Sequence, residues 1–203
     1  MARKPDLAEV AMRLVRVLGA DECVLVGGLA VGAHGYVRAT GDIDLIVKAS
    51  LESVRARLKR NGIPASLHRG DPTERDFPCL KGTLAGVPFD IMPPLVPLDW
   101  QRTIRVSIRP DVTLPIVDLE GLIRLKLRAQ GPRDLLDVAA LVRRHPEELP
   151  AAREMSEAYG VADQLEVWLN DPRLEAEAPA RPARRPTRKR AAPRRGKPPA
   201  GSR

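Results

Sequence analysis

The chain has 203 residues, 43% of them hydrophobic but only 3% aromatic, which suits one domain cored by Leu, Val, Ile and Ala and excludes a core built on aromatic rings. The formal charge of +8 belongs to one end: ten of the 34 Lys and Arg fall in residues 179–203, which hold no acid, leaving 24 bases against 26 acids elsewhere. No apolar run reaches the length of a membrane span, MARKPDLAEV lacks a signal-peptide apolar region, and Cys23 and Cys79 sit among apolar neighbours, so buried free thiols in a reducing cytoplasm are expected.

Apolar residues at Leu7, Val10, Ala11, Leu14, Val17 and Leu18 predict a first helix, closed by Gly19. ECVLVGG reads as a short buried strand, and LAVGAHG as a short helix opened by Gly27 and Gly28. DIDLIVK is a strand, and SLESVRARLKRNG a helix with Ser50 as N-cap and Gly62 as stop. GIPASLHRG suits an edge strand. CLKGTLAGVPFDIM predicts a hairpin turning at Ala85–Gly86, with Pro88 weakening its second strand or placing it at an edge. Two more short strands are expected around Pro110–Asp111. Helices then follow over Leu119–Ala129, Pro132–Arg144, Glu147–Tyr159 and Val161–Leu169, punctuated by Gly131–Pro132 and His145–Pro146.

The expected class is therefore α+β, a small mixed sheet with flanking helices and a helical C-terminal part. Residues 1–95 would form the core, 96–172 the strands and helices that complete a cleft, and 173–203 a disordered tail rich in Arg, Pro and Ala. A basic arm of this composition binds nucleic acid and other polyanions through phosphate contacts; a solubilising extension accounts for the same composition.

Asp42 and Asp44 stand one residue apart in a segment that otherwise reads as a buried strand. Strand alternation puts Asp42, Asp44 and Ile46 on one side, and the apolar Ile43, Leu45 and Val47 on the other. Two carboxylates on one face are costly unless something positive lies between them, and at about 6.6 Å between Cα atoms both can reach one divalent ion or a pair of ions. The same residues also suit a plain turn, with Asp42 capping the strand start and Asp44 paired to a lysine. A third acid, Asp90, lies on another predicted strand between Phe89 and Ile91, where it could complete a metal site or act as general base toward a hydroxyl. The glycine pair suits close approach of backbone amides to phosphate oxygens, as it also suits any tight turn.

Taken together, Gly27–Gly28, the phrase RATGDID and the lone strand Asp90 resemble the nucleotidyltransferase superfamily of the polymerase-β type, in particular its minimal bacterial members and the AbiEii-type toxins. In these a phrase like LVGGLAVGAHGYVRATGDIDLIV precedes a lysine-bearing helix and a helix carrying an RD..D pattern; the resemblance spans roughly residues 24–142. It implies that Asp42, Asp44 and Asp90 hold two Mg²⁺ ions, that Gly27 and Gly28 cradle the phosphates of an NTP, and that Lys126 contacts those phosphates. Arg38 and Thr40 would add to the nucleotide site. Where many relatives carry Gly-Ser, this chain has Gly27–Gly28, leaving backbone amides without the serine hydroxyl.

Lys126 falls on the apolar stripe of Leu119, Leu122 and Ile123, whereas Arg124 and Arg128 lie off it. A lysine there requires a partner. Snorkelling or an ion pair with Asp134 or Asp137 is one account and a place in the phosphate cleft is another; both can hold, with the two aspartates orienting Lys126. Asp134 would also suit the first turn of its helix, and Asp137 a pair with Arg133. Arg38 in a loop is by default a surface residue, and His34 has no acid at a recognisable spacing, so it reads as structural. No Ser-His-Asp or Cys-His arrangement is visible, leaving no candidate for nucleophilic catalysis.

The function expected from residues and resemblance is transfer of a nucleoside monophosphate from an NTP to a hydroxyl. The acceptor would be an RNA 3′ end such as that of a tRNA, a protein hydroxyl, or an aminoglycoside-like small molecule, and the resemblance implies a toxin restrained by an antitoxin partner. The rival is a non-catalytic nucleic-acid-binding or regulatory protein on the same fold.

Overall fold

The computed structural model describes residues 6–71, 77–110, 112–172 and 174. The expectations for Asp111 and for the basic tail at 179–203 lie outside the described residues. Seven strands form one mixed sheet: β1 (Cys23–Leu25), β2 (Ile43–Val47), β3 (Ala65–His68), β4 (Cys79–Leu84), β5 (Val87–Met92), β6 (Ile104–Arg109) and β7 (Val112–Ile116). Their spatial order is β3-β4-β5-β2-β1-β7-β6. The central pair β2 and β5 is parallel, as is β1 with β7, and the remaining neighbours are antiparallel. Helices α1 (Leu7–Leu18), α2 (Gly27–Ala33) and α3 (Leu51–Arg60) fall between the early strands. After the sheet come α4 (Leu119–Ala129), α5 (Pro132–Arg144), α6 (Leu149–Ala158) and α7 (Ala162–Leu169). This mixed architecture matches the expected class.

Local chemistry explains most boundaries. Asp6 accepts a hydrogen bond from the Ala8 amide at 2.9 Å and opens α1, and Ser50 accepts one from the Ser53 amide and opens α3. The β4–β5 hairpin turns at Ala85 and Gly86, both with positive φ (52° and 81°), the signature of a two-residue I′ turn. Pro88 lies inside the sheet, not at its edge. Pairing of β5 with β2 begins only at Phe89, opposite Ile43, so Pro88 has no partner on that side. At the end of α4 the left-handed cap is Gln130 (φ 61°), not Gly131, and Gln130 donates its side-chain amide to the Tyr159 carbonyl at 2.9 Å. The helix expected from Glu147 begins instead with a 3-10 turn over Pro146–Glu148, followed by α6.

The core is aliphatic, as the composition requires. Among the described residues two aromatics are buried in it, Tyr36 and Phe89, and Phe89 is 1% exposed with Ile43 and Gly82 opposite it on the neighbouring strands. Helix α1 packs on β7 and α3, α2 on β2 and α4, and α4 to α7 on one another. No helix among the described residues is long and apolar enough to cross a membrane.

The Phe89 ring leans over Gly82 of β4: a Cβ built there would stand 2.4 Å from Cζ of Phe89 and 2.7 Å from the Pro64 carbonyl oxygen. Gly82→Ala is therefore expected to cost about 1–3 kcal/mol, the usual penalty for an overpacked core. A chemical denaturation midpoint unchanged from wild type would contradict this packing.

Candidate active site

The parallel pairing of β2 with β5 decides the geometry. Asp44 lies directly in register with Asp90, so two carboxylates far apart in sequence sit side by side at one sheet position. Asp42 is the residue just before β2; it is exposed and accepts a hydrogen bond from the Thr40 hydroxyl at 2.7 Å. Asp90 is half-buried, with Nζ of Lys81 from β4 at 3.6 Å from its Oδ2. The structure thus brings the three predicted acids into one neighbourhood.

Asp44 carries the electrostatic cost of that gathering. Burial, followed by the charges of Asp42 and Asp90, pushes its pKa from 3.8 up to about 6, while Lys126 pulls it back down. Gly27 makes room for it. Its φ of 61° is left-handed, and a Cβ there would meet the Asp44 Oδ2 at 1.8 Å, so no other residue fits with Asp44 as it stands. The Val26 amide donates to the Asp44 carbonyl at 3.0 Å, tying the glycine turn to the acid strand. No side chain caps the start of α2, so its first amides are left without intrahelical partners.

The second glycine answers to a different neighbour. A Cβ at Gly28 would stand 2.5 Å from Oγ1 of Thr40 and 2.7 Å from its Cβ. Thr40 fills the space that a side chain at position 28 would need, which gives the Gly-Gly departure a steric reason. A hydroxyl is present beside the turn after all, but Thr40 supplies it.

Lys126 is 11% exposed at its side chain and pairs with both expected partners, Asp134 Oδ1 at 2.6 Å and Asp137 Oδ2 at 3.0 Å. Asp137 does not pair with Arg133. It is fully buried and takes a bidentate fork from Arg38, at 2.6 Å from Nε and 2.7 Å from Nη2. Arg133 donates instead to the Ala39 carbonyl at 2.8 Å, and Arg144 to the Gly35 carbonyl at 2.9 Å. Arg38 is thus drawn inward rather than left on the surface, because the loop it occupies is pinned to α5.

A cleft of about 240 Å³ opens over these groups, lined by Val26, Gly27, Asp44, Leu122, Lys126 and Asp134 among others. A neighbouring hollow of about 250 Å³ holds Asp90, Lys81, Phe77 and Arg128, and the two share Met92, Leu95, Leu125 and Ala129 as a common wall. Larger cavities lie around Trp100 and around Asp118, and neither is lined by any of the three acids. His34 is structural: its Nε2 donates to the Val117 carbonyl at 2.8 Å and burial lowers its pKa. Both cysteines are free and buried, and burial pushes the Cys23 thiol up to about 12, far from a nucleophile's range.

No protein-family model matches the chain, and no curated protein matches it by sequence. Among solved structures, it is similar to ANT(2″)-Ia in complex with adenylyl-2″-tobramycin, at 11% identity and TM-score 0.52, over 75% of this chain and 95% of that one. The chain shares the fold of that structure. An antigenic nucleotidyltransferase-like protein from Paracoccidioides brasiliensis aligns at 16% identity and TM-score 0.48, over 83% of this chain and 95% of that one. A tRNA nucleotidyltransferase complexed with a primer tRNA and an incoming ATP analogue aligns at 12% identity and TM-score 0.37, over 81% and 57%.

Within this fold, sequence reading missed Lys81, Phe77 and Arg128. Arg128 lies off the apolar stripe of α4, and only the packing of α4 beside β4 and β5 reveals that it shares a hollow with Asp90.

Asp44 sets a pH dependence whose sign follows from its raised pKa. Between pH 3.8 and about 6 the native state holds a proton that the unfolded chain releases, so the wild type loses stability as pH rises through that window. Without divalent cations, Asp44→Asn should exceed the wild type by about 2–3 kcal/mol above pH 6, with the gap closing below pH 4. Urea titrations of both proteins across this range check it. Asp137→Ala should act oppositely, costing about 3–5 kcal/mol at neutral pH by stranding Arg38 and Lys126 in a buried site; a thermal melt equal to that of the wild type would refute it.

Proposed function

We propose that the protein is a Mg²⁺-dependent nucleotidyltransferase that moves a nucleoside monophosphate from an NTP to an acceptor hydroxyl. The observation carrying this reading is the side-by-side register of Asp44 and Asp90, with Asp42 one residue before the strand, beside a cleft walled by Gly27 and Lys126. The donor set suits magnesium. Its oxygens are hard carboxylate ligands, and the raised pKa of Asp44 marks a negative charge that a cation would relieve. Among the described residues there is no group of three acidic, histidine or cysteine side chains that could hold a metal ion. Magnesium does not require one, since it is commonly held by one or two carboxylates, water and substrate phosphates.

Asp42 and Asp44 would hold the ions against the triphosphate, and Asp90 would stand on the acceptor side. When bound, the metal would stabilise charge on the attacking and leaving oxygens. The acceptor oxygen attacks the α-phosphorus; a P–O bond forms there as the bond from the α-phosphorus to the α,β-bridging oxygen breaks, and pyrophosphate leaves. Asp90 takes the hydroxyl proton. The amides at Gly27–Gly28 and the ammonium of Lys126 receive the departing phosphates, as fixed dipoles and charge that need no reorganisation. The Thr40 hydroxyl orients Asp42, and Arg38 acts through Asp137 to keep Lys126 in place.

For the acceptor we favour an RNA 3′ end such as that of a tRNA, which suits the basic segment at 179–203. The adenylylated tobramycin in the ANT(2″)-Ia structure supports a hydroxyl acceptor in general. The likeness to AbiEii-type sequences extends the reading to a toxin held in check by an antitoxin.

Calorimetric titration of each NTP with Mg²⁺ tests the nucleotide half. Binding should require the cation and weaken at least tenfold in Asp44→Asn, a variant expected to be fully folded. Incubation with α-labelled NTPs, Mg²⁺ and total RNA tests the transfer half. Failure of every NTP to bind would remove the catalytic reading and leave a nucleic-acid-binding protein on this fold.

A further inference from the structure

The two adjoining hollows differ in charge. The one beside Gly27 contains Asp44, Asp134 and a Lys126 already engaged by two aspartates. Its neighbour contains two cations, Lys81 and Arg128, against the single acid Asp90. Lys81 reaches Asp90 only at 3.6 Å, with half of its side chain exposed. Arg128 has no carboxylate partner among the described residues; its guanidinium lies over the Phe77 ring at 4.9 Å, and its Nε is buried without a hydrogen-bond partner. A guanidinium stacked on a phenyl ring, with a lysine and a carboxylate lining the same hollow, matches the needs of a nucleotide: a flat surface for the base and positive charge for the phosphate.

We propose that the hollow formed by Phe77, Lys81, Asp90 and Arg128 is the acceptor subsite, and that it receives the 3′-terminal nucleotide of an RNA strand. This inference rests on the nucleotidyltransferase reading and adds to it the residues that select the acceptor. Arg128 and Lys81 hold the phosphate that joins the terminal nucleotide to the strand, and the Phe77–Arg128 pair stacks its base. The terminal hydroxyl then lies at Asp90, which takes its proton as the oxygen attacks the α-phosphorus of an NTP held across the shared wall of Met92, Leu95 and Leu125. The same charges disfavour an aminoglycoside, whose ammonium groups would meet Lys81 and Arg128.

The test uses the full-length protein and a 5′-fluorescein-labelled 12-nucleotide RNA with a free 3′ hydroxyl. Fluorescence anisotropy without NTP measures binding for wild type, Arg128→Glu, Phe77→Leu and Arg55→Glu. The last is an equal charge reversal at an exposed position on α3, which corrects for general attraction between RNA and a basic chain. Arg128→Glu should weaken RNA binding at least tenfold and Phe77→Leu several-fold, with Arg55→Glu within about twofold of wild type. Affinity for the Mg²⁺-bound NTP should stay within about twofold in all three. Equal effects of Arg128→Glu and Arg55→Glu would overturn the subsite, as would transfer of label to tobramycin in preference to the RNA. Because RNA binding is read without NTP, loss of the subsite is distinguishable from failure of the catalytic reading, which would show as absent NTP binding in the wild type.

Discussion

The buried carboxylate of Asp137 holds two cations from distant parts of the chain, Arg38 from the loop before β2 and Lys126 from α4. A charge with no solvent exposure survives only when it is paired and hydrogen-bonded. Asp137 meets that condition with a bidentate guanidinium on one side and an ammonium on the other. The consequence is mechanical as well as electrostatic. Helix α5 is fastened to the loop at 34–41 through Asp137, Arg133, Arg144 and His145, and that loop carries Thr40, which in turn orients Asp42. The position of the outermost acid is thereby set from a helix almost a hundred residues further along.

The glycine turn shows the complementary constraint, close approach instead of pairing. Gly27 is required because Asp44 occupies the volume of its missing side chain, and Gly28 because Thr40 does. The pair therefore does more than free two amides. It lets a carboxylate and a hydroxyl stand against the start of α2, at the price of a carboxylate whose ionisation the fold disfavours. The aliphatic core around Phe89 supplies the stability that such a site gives up, a common division between scaffold and site.

The two hollows beside the acids are separated by a single thin wall. Here Met92 and Leu95, together with Leu125 and Ala129 of α4, form a common apolar wall, and Asp44 and Asp90 stand on either side of it in register. Parallel strands place both carboxylates at the same level without any turn between them, which is why the pairing of β2 with β5 matters more than the length of either strand.

Most of the elements, and the residue types gathered at the candidate site, were legible in the order of amino acids. Periodicity marked the helices, Ala85–Gly86 marked the hairpin, and GDID with Asp90 marked the acids, because each signal is carried by residues close together along the chain. A lysine on an apolar stripe also announced that Lys126 needed a partner. Which partner each charge took came from packing between elements: Asp137 pairs with Arg38 and Lys126 and not with its helical neighbour Arg133, Thr40 fills the space at Gly28, and Arg128 lies on Phe77 in the hollow that Asp90 also lines. These contacts join residues on different elements, from 11 positions apart for Lys126 and Asp137 to 99 for Arg38 and Asp137. Their selection depends on strand register and helix packing, which govern desolvation and steric fit and leave no local trace in the order of amino acids.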